Sequence, residues 1–314
     1  MAEGAIHPAL RRVLQEAGDP ALVDKLAALP GSDLITVLLE VQRRRAGRVT
    51  PAEVMRNYGR DRFVGPASVG FGAQRRAEDV MLAALPAGFE ALTLAPVLPL
   101  GAHSAVATLD PRNVIATVRG SEVAADPTNG LALEAAARRR RALAAGPRSA
   151  ELVRLAATQR VARAQQVSGP VSFAHFQLLG AVTAGRDTGG HAFERDSAVE
   201  HLGFAAAGLR RLGASRIRLE LTCLDPALSQ VTAVVAGALA GAGGVEVADA
   251  PHRRSGRGYY TGLCFKVQAA FGGPELEVGD GGFTDWTARL LGSRKERLLI
   301  SGYGIDRIAL ASGG

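Results

Sequence analysis

The chain has 314 residues, 47% of them hydrophobic and 21% charged, a balance that excludes wholesale disorder and leaves room for one large domain or two smaller ones. Its formal net charge of +7 permits an anionic partner such as a nucleic acid, a nucleotide or an acidic protein. The basic runs are short, Arg43–Arg45 and Arg138–Arg141, and no aromatic residue is interleaved with them, so they read as solvated helix faces. Cys223 and Cys264 lie in apolar strand-like runs, there is no CxxC, and the six histidines show no ligand spacing. Buried thiols are expected, and neither a disulfide nor a metal site. The N-terminus lacks a signal-peptide pattern, and the longest apolar run, Val231 to Gly244, is too short to span a bilayer. A cytoplasmic protein without membrane contact is expected.

From the start to about residue 84 the chain reads as helices. Pro8 to Ala17, Ala21 to Ala28, Ser32 to Arg45 and Pro51 to Tyr58 repeat apolar residues at spacings of three and four. Ser32 with Asp33 suits an N-cap and Pro51 a first helical position. Residues 59–72 form a Gly- and Pro-containing connection, so residues 1–72 are expected to be an N-terminal helical segment and 73–314 the core. Within the core, 77–85 reads as a helix stopping at Pro86, 91–98 and 113–118 as strands, and 129–143 as a helix behind Asp126-Pro127-Thr128. Residues 152–166 and 173–183 are long apolar-rich strands around a Ser-Gly-Pro turn at 168–170, a hairpin signal. A helix (198–212), a strand (216–222), a helix (226–240) and a strand (245–248) follow. Long antiparallel strands with helices on one face make an α+β fold.

The last sixty residues read strand, strand, glycine turn, helix, strand, helix. Tyr259 to Val267 is rich in aromatic and β-branched residues. Gly281-Gly282 reads as a tight turn, Leu298 to Ser301 as a short strand, and Tyr303 to Ala311 as a helix. A strand-to-helix junction with Arg307 on the helix can set a planar guanidinium under an anion; the plainer reading of Arg307 is a surface helix arginine.

The blocks GYYTG, GGFTD and GYGIDR, taken in order, resemble the C-terminal blocks of the class II aminoacyl-tRNA synthetase core. The branch they resemble contains histidyl-tRNA synthetase and its paralogue, the regulatory subunit of ATP phosphoribosyltransferase. The resemblance covers about residues 87–311. It implies a mainly antiparallel sheet of six or seven strands flanked by helices, and Arg307, preceded by Asp306, as the arginine that meets the ATP phosphates. Residues 159–185 resemble the motif 2 hairpin of that family, with Arg163 at the α-phosphate position and Phe176, nine residues before Gly185, at the adenine-stacking position. An aromatic face can hold a purine while an arginine neutralises phosphate; the alternatives are a core strand Phe and a surface strand Arg. Asp126 and Thr128 match the segment that binds the α-amino group of an amino acid, or they simply cap the following helix. Tyr259 and Tyr260 complete the implied amino-acid site. Gly185 to Gly190 is glycine-rich and charged, and reads as a binding loop or a plain strand-to-helix turn.

Departures from the family pattern point away from tRNA charging. Gln165 stands where motif 2 has an acid, Ser255-Gly256-Arg257-Gly258 stands where an activating arginine is usual, and Arg254 and Arg257 are both out of register. Leu178 and Val182 replace polar residues, and the sequence stops at motif 3 with no anticodon-binding domain. The resemblance therefore implies a homodimeric paralogue that does not charge tRNA. It would bind a histidine-like amino acid or a nucleotide such as ATP and report that to a partner enzyme such as the ATP phosphoribosyltransferase catalytic subunit. The alternative is a stand-alone ligase, using ATP with Mg2+, that forms an acyl-adenylate and passes it to a non-tRNA acceptor.

Overall fold

The computed structural model describes residues 7–165, 173–240, 244–256 and 258–313. The chain begins with helices α1 (Pro8–Glu16), α2 (Leu22–Ala27), α3 (Gly31–Ala46) and α4 (Pro51–Tyr58). Pro51 takes the first position of α4, and Thr50 and Glu53 exchange hydrogen bonds in a capping box. The cap expected at Ser32 is not made. Helix α3 starts at Gly31 behind Pro30, and the Ser32 hydroxyl donates to Asp33 Oδ1 at 3.2 Å. Residues up to Arg60, with Ala116–Ser121, form one compact unit. None of α1–α4 has a buried residue, and Leu10, Val13, Val37, Val41, Val54 and Met55 stand exposed.

The second unit takes in Asp61–Ile115 and Glu122–Gly314. The elements along the rest of the chain are α5 (Phe71–Leu82), β1 (Glu90–Ala91), β2 (Val97–Pro99), α6 (Ala102–Ala105), β3 (Ser121–Val123), α7 (Pro127–Ala145), β4 (Val153–Ala162) and β5 (His175–Arg186). Then come α8 (Ala192–Arg211), β6 (Arg216–Cys223), α9 (Ser229–Leu239), β7 (Val245–Asp249), β8 (Thr261–Ala270), β9 (Leu276–Thr284), α10 (Trp286–Leu291), β10 (Glu296–Gly304) and α11 (Ile305–Ala311). Among the described residues, no helix is long and apolar enough to cross a membrane.

The main sheet has eight strands in the order β1-β4-β5-β10-β9-β8-β6-β7. Its interior is antiparallel, and the edge strands β1 and β7 pair parallel to their neighbours. These short edges raise the strand number above the six or seven expected. The expected strand 91–98 is split into β1 and β2 because Pro96 lies inside the run and cannot donate to a ladder. The expected strand 113–118 is replaced by a 3-10 turn at Pro111–Asn113, capped by Asp110, and the extended segment comes later, at β3. The turn expected at 168–170 lies outside the described residues.

Helices flank both faces of the sheet, which follows from side-chain alternation along the strands. On β10, Leu298 and Ile300 pack with Leu131, Ala132 and Trp286 of α7 and α10, whereas Leu299 and Tyr303 pack with Leu202 and Leu209 of α8. Tyr303, expected in the last helix, therefore belongs to β10.

The glycine turn is corrected as well. Gly281 and Gly282 lie inside β9, paired with Phe265 and Cys264 on one side and with Ser301 and Ile300 on the other. A Cβ on Gly281 would come 2.4 Å from Phe265 Cζ, and one on Gly282 would come 2.6 Å from Cys264 Cβ. The glycines are there because neighbouring side chains cross the strand, and the backbone does not turn.

Candidate ligand-binding site

Helix α7 reaches the sheet because β5 has no side chain at Gly180, where a Cβ would lie 2.8 Å from Pro127 Cγ. Asp126 sits at the N-cap of α7 in an extended conformation. Its Oδ1 accepts from the Thr128 backbone N–H (2.9 Å) and hydroxyl (2.7 Å). Its Oδ2 accepts from Arg163 (3.1 Å), whose Nε also donates to the Ala125 carbonyl (2.9 Å). One carboxylate thus caps the helix and pairs with an arginine.

The backbone before Asp126 is held by a buried pair. The Ala125 N–H donates to His103 Nε2 (2.9 Å), and His103 Nδ1 donates to Glu122 (3.1 Å). Because Nε2 accepts, the ring proton sits on Nδ1. Nothing local in the sequence marks His103 or Glu122, which are 19 residues apart.

A second part of the site's lining is aromatic and carries an ion pair. The Tyr259 ring lies 4.3 Å from that of Tyr260 and 6.2 Å from that of Trp286, centroid to centroid. The Tyr260 hydroxyl donates to Asp280, which also accepts from Arg253. Arg253 further donates to the carbonyls of Phe265 (2.9 Å) and Ser255 (2.7 Å), with its guanidinium 5.3 Å from the Tyr260 ring centroid. Burial lifts the Asp280 carboxyl above its ordinary range, against the pull of Arg253. Burial also pushes Tyr259 up to about 12 and Tyr260 well above its usual value, so both phenols are protonated donors at neutral pH. Of the two arginines that are out of register with the family pattern, Arg254 is exposed and Arg257 lies outside the described residues; from this stretch it is Arg253 that lines the cavity. Asp280, an acid inside the glycine-rich strand β9, is the one local signal that could have drawn attention to this pair.

Arg163, just past β4, Phe176 of β5 and Arg307 of α11 also line the cavity. The Arg163 guanidinium lies 5.1 Å from the Phe176 ring centroid, and Arg307 donates to the Glu277 carbonyl. Asp306, buried, fixes the first turn of α11: it pairs with Arg160 at 3.3 Å and accepts from the Gln177 N–H at 3.2 Å. Arg160 also donates to Gln74 (2.9 Å) and His175 (3.0 Å).

Asp126, Thr128, Arg163, Phe176, Tyr259, Tyr260 and Arg307 all line one cavity of about 440 Å³, together with Arg253, Asp280 and Asn129. The cavity is concave and mixed in polarity, as small-molecule sites are. In the 185–190 segment Gly185 and Arg186 end β5, and the following residues lead into α8. Asp187 accepts from the Gly189 N–H (2.8 Å) and pairs with Arg297 (2.9 Å), and none of these residues lines the cavity.

No protein-family model and no curated protein matches the sequence. Solved structures do match the fold. Apo histidyl-tRNA synthetase of Staphylococcus aureus superposes with a TM-score of 0.57 at 13% identity, covering 76% of this chain and 64% of that one. An ATP phosphoribosyltransferase regulatory subunit/histidyl-tRNA synthetase from Bacillus halodurans gives 0.57 at 15% identity, covering 80% and 82%. A histidine–tRNA ligase subunit from Alicyclobacillus acidocaldarius gives 0.56 at 14%, covering 79% and 94%. The chain thus spans less than two thirds of the staphylococcal synthetase and most of the other two. Its fold is the class II synthetase-like fold.

Proposed function

We propose that this chain binds an amino acid and ATP in the cavity and acts as a regulatory subunit that does not charge tRNA. The observation that carries this reading is the mixed lining of the cavity. Arg163, Phe176 and Arg307 line it together with Asp126, Tyr259, Tyr260 and Asp280, so cations, acids and aromatic faces meet in one space. A purine fits on Phe176 and its phosphates on the two arginines, whose planar forks suit phosphate. An α-ammonium fits Asp126, because burying it without a counter-charge is costly. In the structure Asp126 and Arg163 are paired with each other. A ligand bringing both an ammonium and a phosphate exchanges that pair for two new ones, with no charge left buried alone.

The regulatory reading is supported by the neighbour whose name includes an ATP phosphoribosyltransferase regulatory subunit; a catalytic subunit of that enzyme is the proposed partner, and a homodimer the proposed assembly. Of the carboxylates that line the cavity, Asp306 is buried and bonded to Arg160 at 3.3 Å, whereas Glu277 is 40% exposed and bonded to Lys266 at 2.6 Å; Glu277 could exchange that lysine for another cation, and we assign no metal to the site. The competing reading, an adenylate-forming ligase, draws on the same residues, Arg163, Phe176 and Arg307.

Calorimetry with ATP and with the common amino acids, beside an assay for AMP and pyrophosphate, tests the proposal. Binding of both ligands without AMP formation is expected, and no tRNA should be charged above background. Arg307→Ala should weaken ATP binding about tenfold or more, since charge-assisted hydrogen bonds contribute roughly 1.5–3 kcal/mol. AMP formation would overturn the regulatory reading in favour of the ligase, and absence of any binding would overturn both.

A further inference from the structure

The cavity contains a polar side chain that the reading above does not use. Asn129 stands in the first turn of α7, lines the cavity and is 2% exposed. Neither its amide nitrogen Nδ2 nor its oxygen Oδ1 has a hydrogen-bond partner. Among the described residues that line the cavity, it alone has buried side-chain polar atoms in that condition. An unpaired buried donor and acceptor are costly, and native interiors leave few of them. An amide in that position is either met by something that enters the cavity or is a liability the fold could shed with a small apolar residue.

We infer that Asn129 is a specificity-determining residue that reads the side-chain head group of the bound amino acid, and that this head group is an uncharged, planar donor–acceptor unit: an imidazole or a carboxamide. This rests on the amino-acid reading of the cavity. Three observations shape it. The amide offers one acceptor and two donors, so its full complement is a group with both a donor and an acceptor. The cavity residues Ala107, Leu109, Trp286 and Ile300 are apolar and belong with Tyr259 and Tyr260 to one hydrophobic cluster, and the charges beside that cluster, Arg253 and Asp280, are already paired with each other; a charged head group would have to break that pair. Asn129 lies one turn of helix beyond Asp126, roughly 5 Å along the axis. That is the span from an α-ammonium to a head group a few bonds past Cα. Long lysine-like or arginine-like chains overrun it.

The test is calorimetry and thermal melting on the full chain with free histidine, asparagine, glutamine, leucine and phenylalanine, and with ATP in a separate arm. Wild type should bind at least one of the first three more than about tenfold tighter than leucine, because a site built to bond a polar group rejects the analogue that lacks it. Histidine against the two carboxamides then identifies the head group. Asn129→Ala should lose that discrimination without melting earlier, since it removes two unpaired polar atoms and Ala is the best helix former. Asn129→Leu should shift preference toward the apolar amino acids. Discrimination that survives in both variants would overturn the inference, as would a wild type that binds ATP and amino acids with no polar preference; either result leaves the proposed function standing. A wild type that binds no amino acid would overturn the amino-acid reading and this inference with it. Earlier melting of both variants would assign Asn129 to packing and also overturn the inference.

Discussion

Helix α7 carries an arginine–carboxylate pair at each of two places, and their surroundings are opposite. In its C-terminal half, Arg139 meets Glu296 at 2.8 Å with both side chains 0% exposed. Arg139 spends its remaining donors on the carbonyls of Glu151 (2.6 Å) and Ser149 (2.9 Å). At its N-terminus, Asp126 meets Arg163 at 3.1 Å with the side chains 26% and 31% exposed, facing the cavity. A sealed and fully bonded pair cannot change partners without leaving a bare charge in the interior, so it is part of the scaffold. A half-exposed pair at a cavity can exchange partners at little cost, so it is available to a ligand. Chemical type does not separate the two pairs; burial does.

The largest expected effect breaks the scaffold pair. Arg139→Met strands Glu296 inside the protein, and removing one partner of a buried pair costs about 3–5 kcal/mol. Arg186 lies 3.7 Å from Glu296 and offsets part of this, so urea denaturation should show a loss of about 3 kcal/mol, the low end of that range. The double variant Arg139→Met with Glu296→Leu should recover most of it. A single variant as stable as wild type would show that the pair is dispensable.

A second buried ionisable group extends the comparison to the middle of the sheet. His201 is fully buried, bonded to the hydroxyls of Thr183 (2.9 Å) and Ser301 (2.8 Å). Burial first, and the charge of Arg154 second, pull it down from 6.5 to about 3. The sign follows from linkage. Below 6.5 the unfolded chain takes a proton that the native histidine refuses, so stability falls as pH drops from 6.5 toward 3. The slope is about 1.4 kcal/mol per pH unit, so roughly 2 kcal/mol is lost by pH 5. Chemical denaturation at pH 7 and pH 5 should show a decline in wild type that exceeds the decline in His201→Gln by about that amount. Equal declines would mean that carboxylates alone set the acid sensitivity.

What the sequence disclosed and what it hid divide along a similar line. Helix α4 was legible because Pro51 and the apolar spacing are local. The hairpin strands were legible because long apolar runs leave few alternatives, and Asp126, Arg163, Phe176 and Arg307 because their blocks resemble known ones. The glycines of β9 were misread because the cause of their smallness is a ring on another strand, Phe265 against Gly281. His103 with Glu122, and Arg253 with Asp280, were missed because each pair is made across the fold between residues 19 or 27 apart. Asn129 sat unremarked in a helix, since an unpaired amide is visible only once its surroundings are known. The exposed apolar residues of α1–α4 follow helical spacing as closely as those of a core helix do, so spacing alone did not reveal that none of them is buried.

The smallest expected effect on stability falls on the cavity pair, and it separates capping from binding. Asp126 does both kinds of work with different oxygens: Oδ1 caps through Thr128 and Oδ2 meets Arg163. The substitution Asp126→Asn would keep a cap, because asparagine serves as well as aspartate at that position. It would lose the attraction to Arg163, which for a pair this exposed is worth about 1 kcal/mol at most. The variant should therefore melt within about 4 °C of wild type. The charge that an α-ammonium needs would be gone, so calorimetry should show amino-acid affinity reduced about tenfold or more, the loss of one charge-assisted bond. Early melting would mean that the carboxylate is chiefly structural, like Glu296. Undiminished amino-acid binding would mean that the ammonium is met elsewhere. Asp280 lines the same cavity and keeps acceptor capacity beside its bonds from Arg253 and Tyr260, so in that case Asp280→Asn, and not Asp126→Asn, should lower the amino-acid affinity.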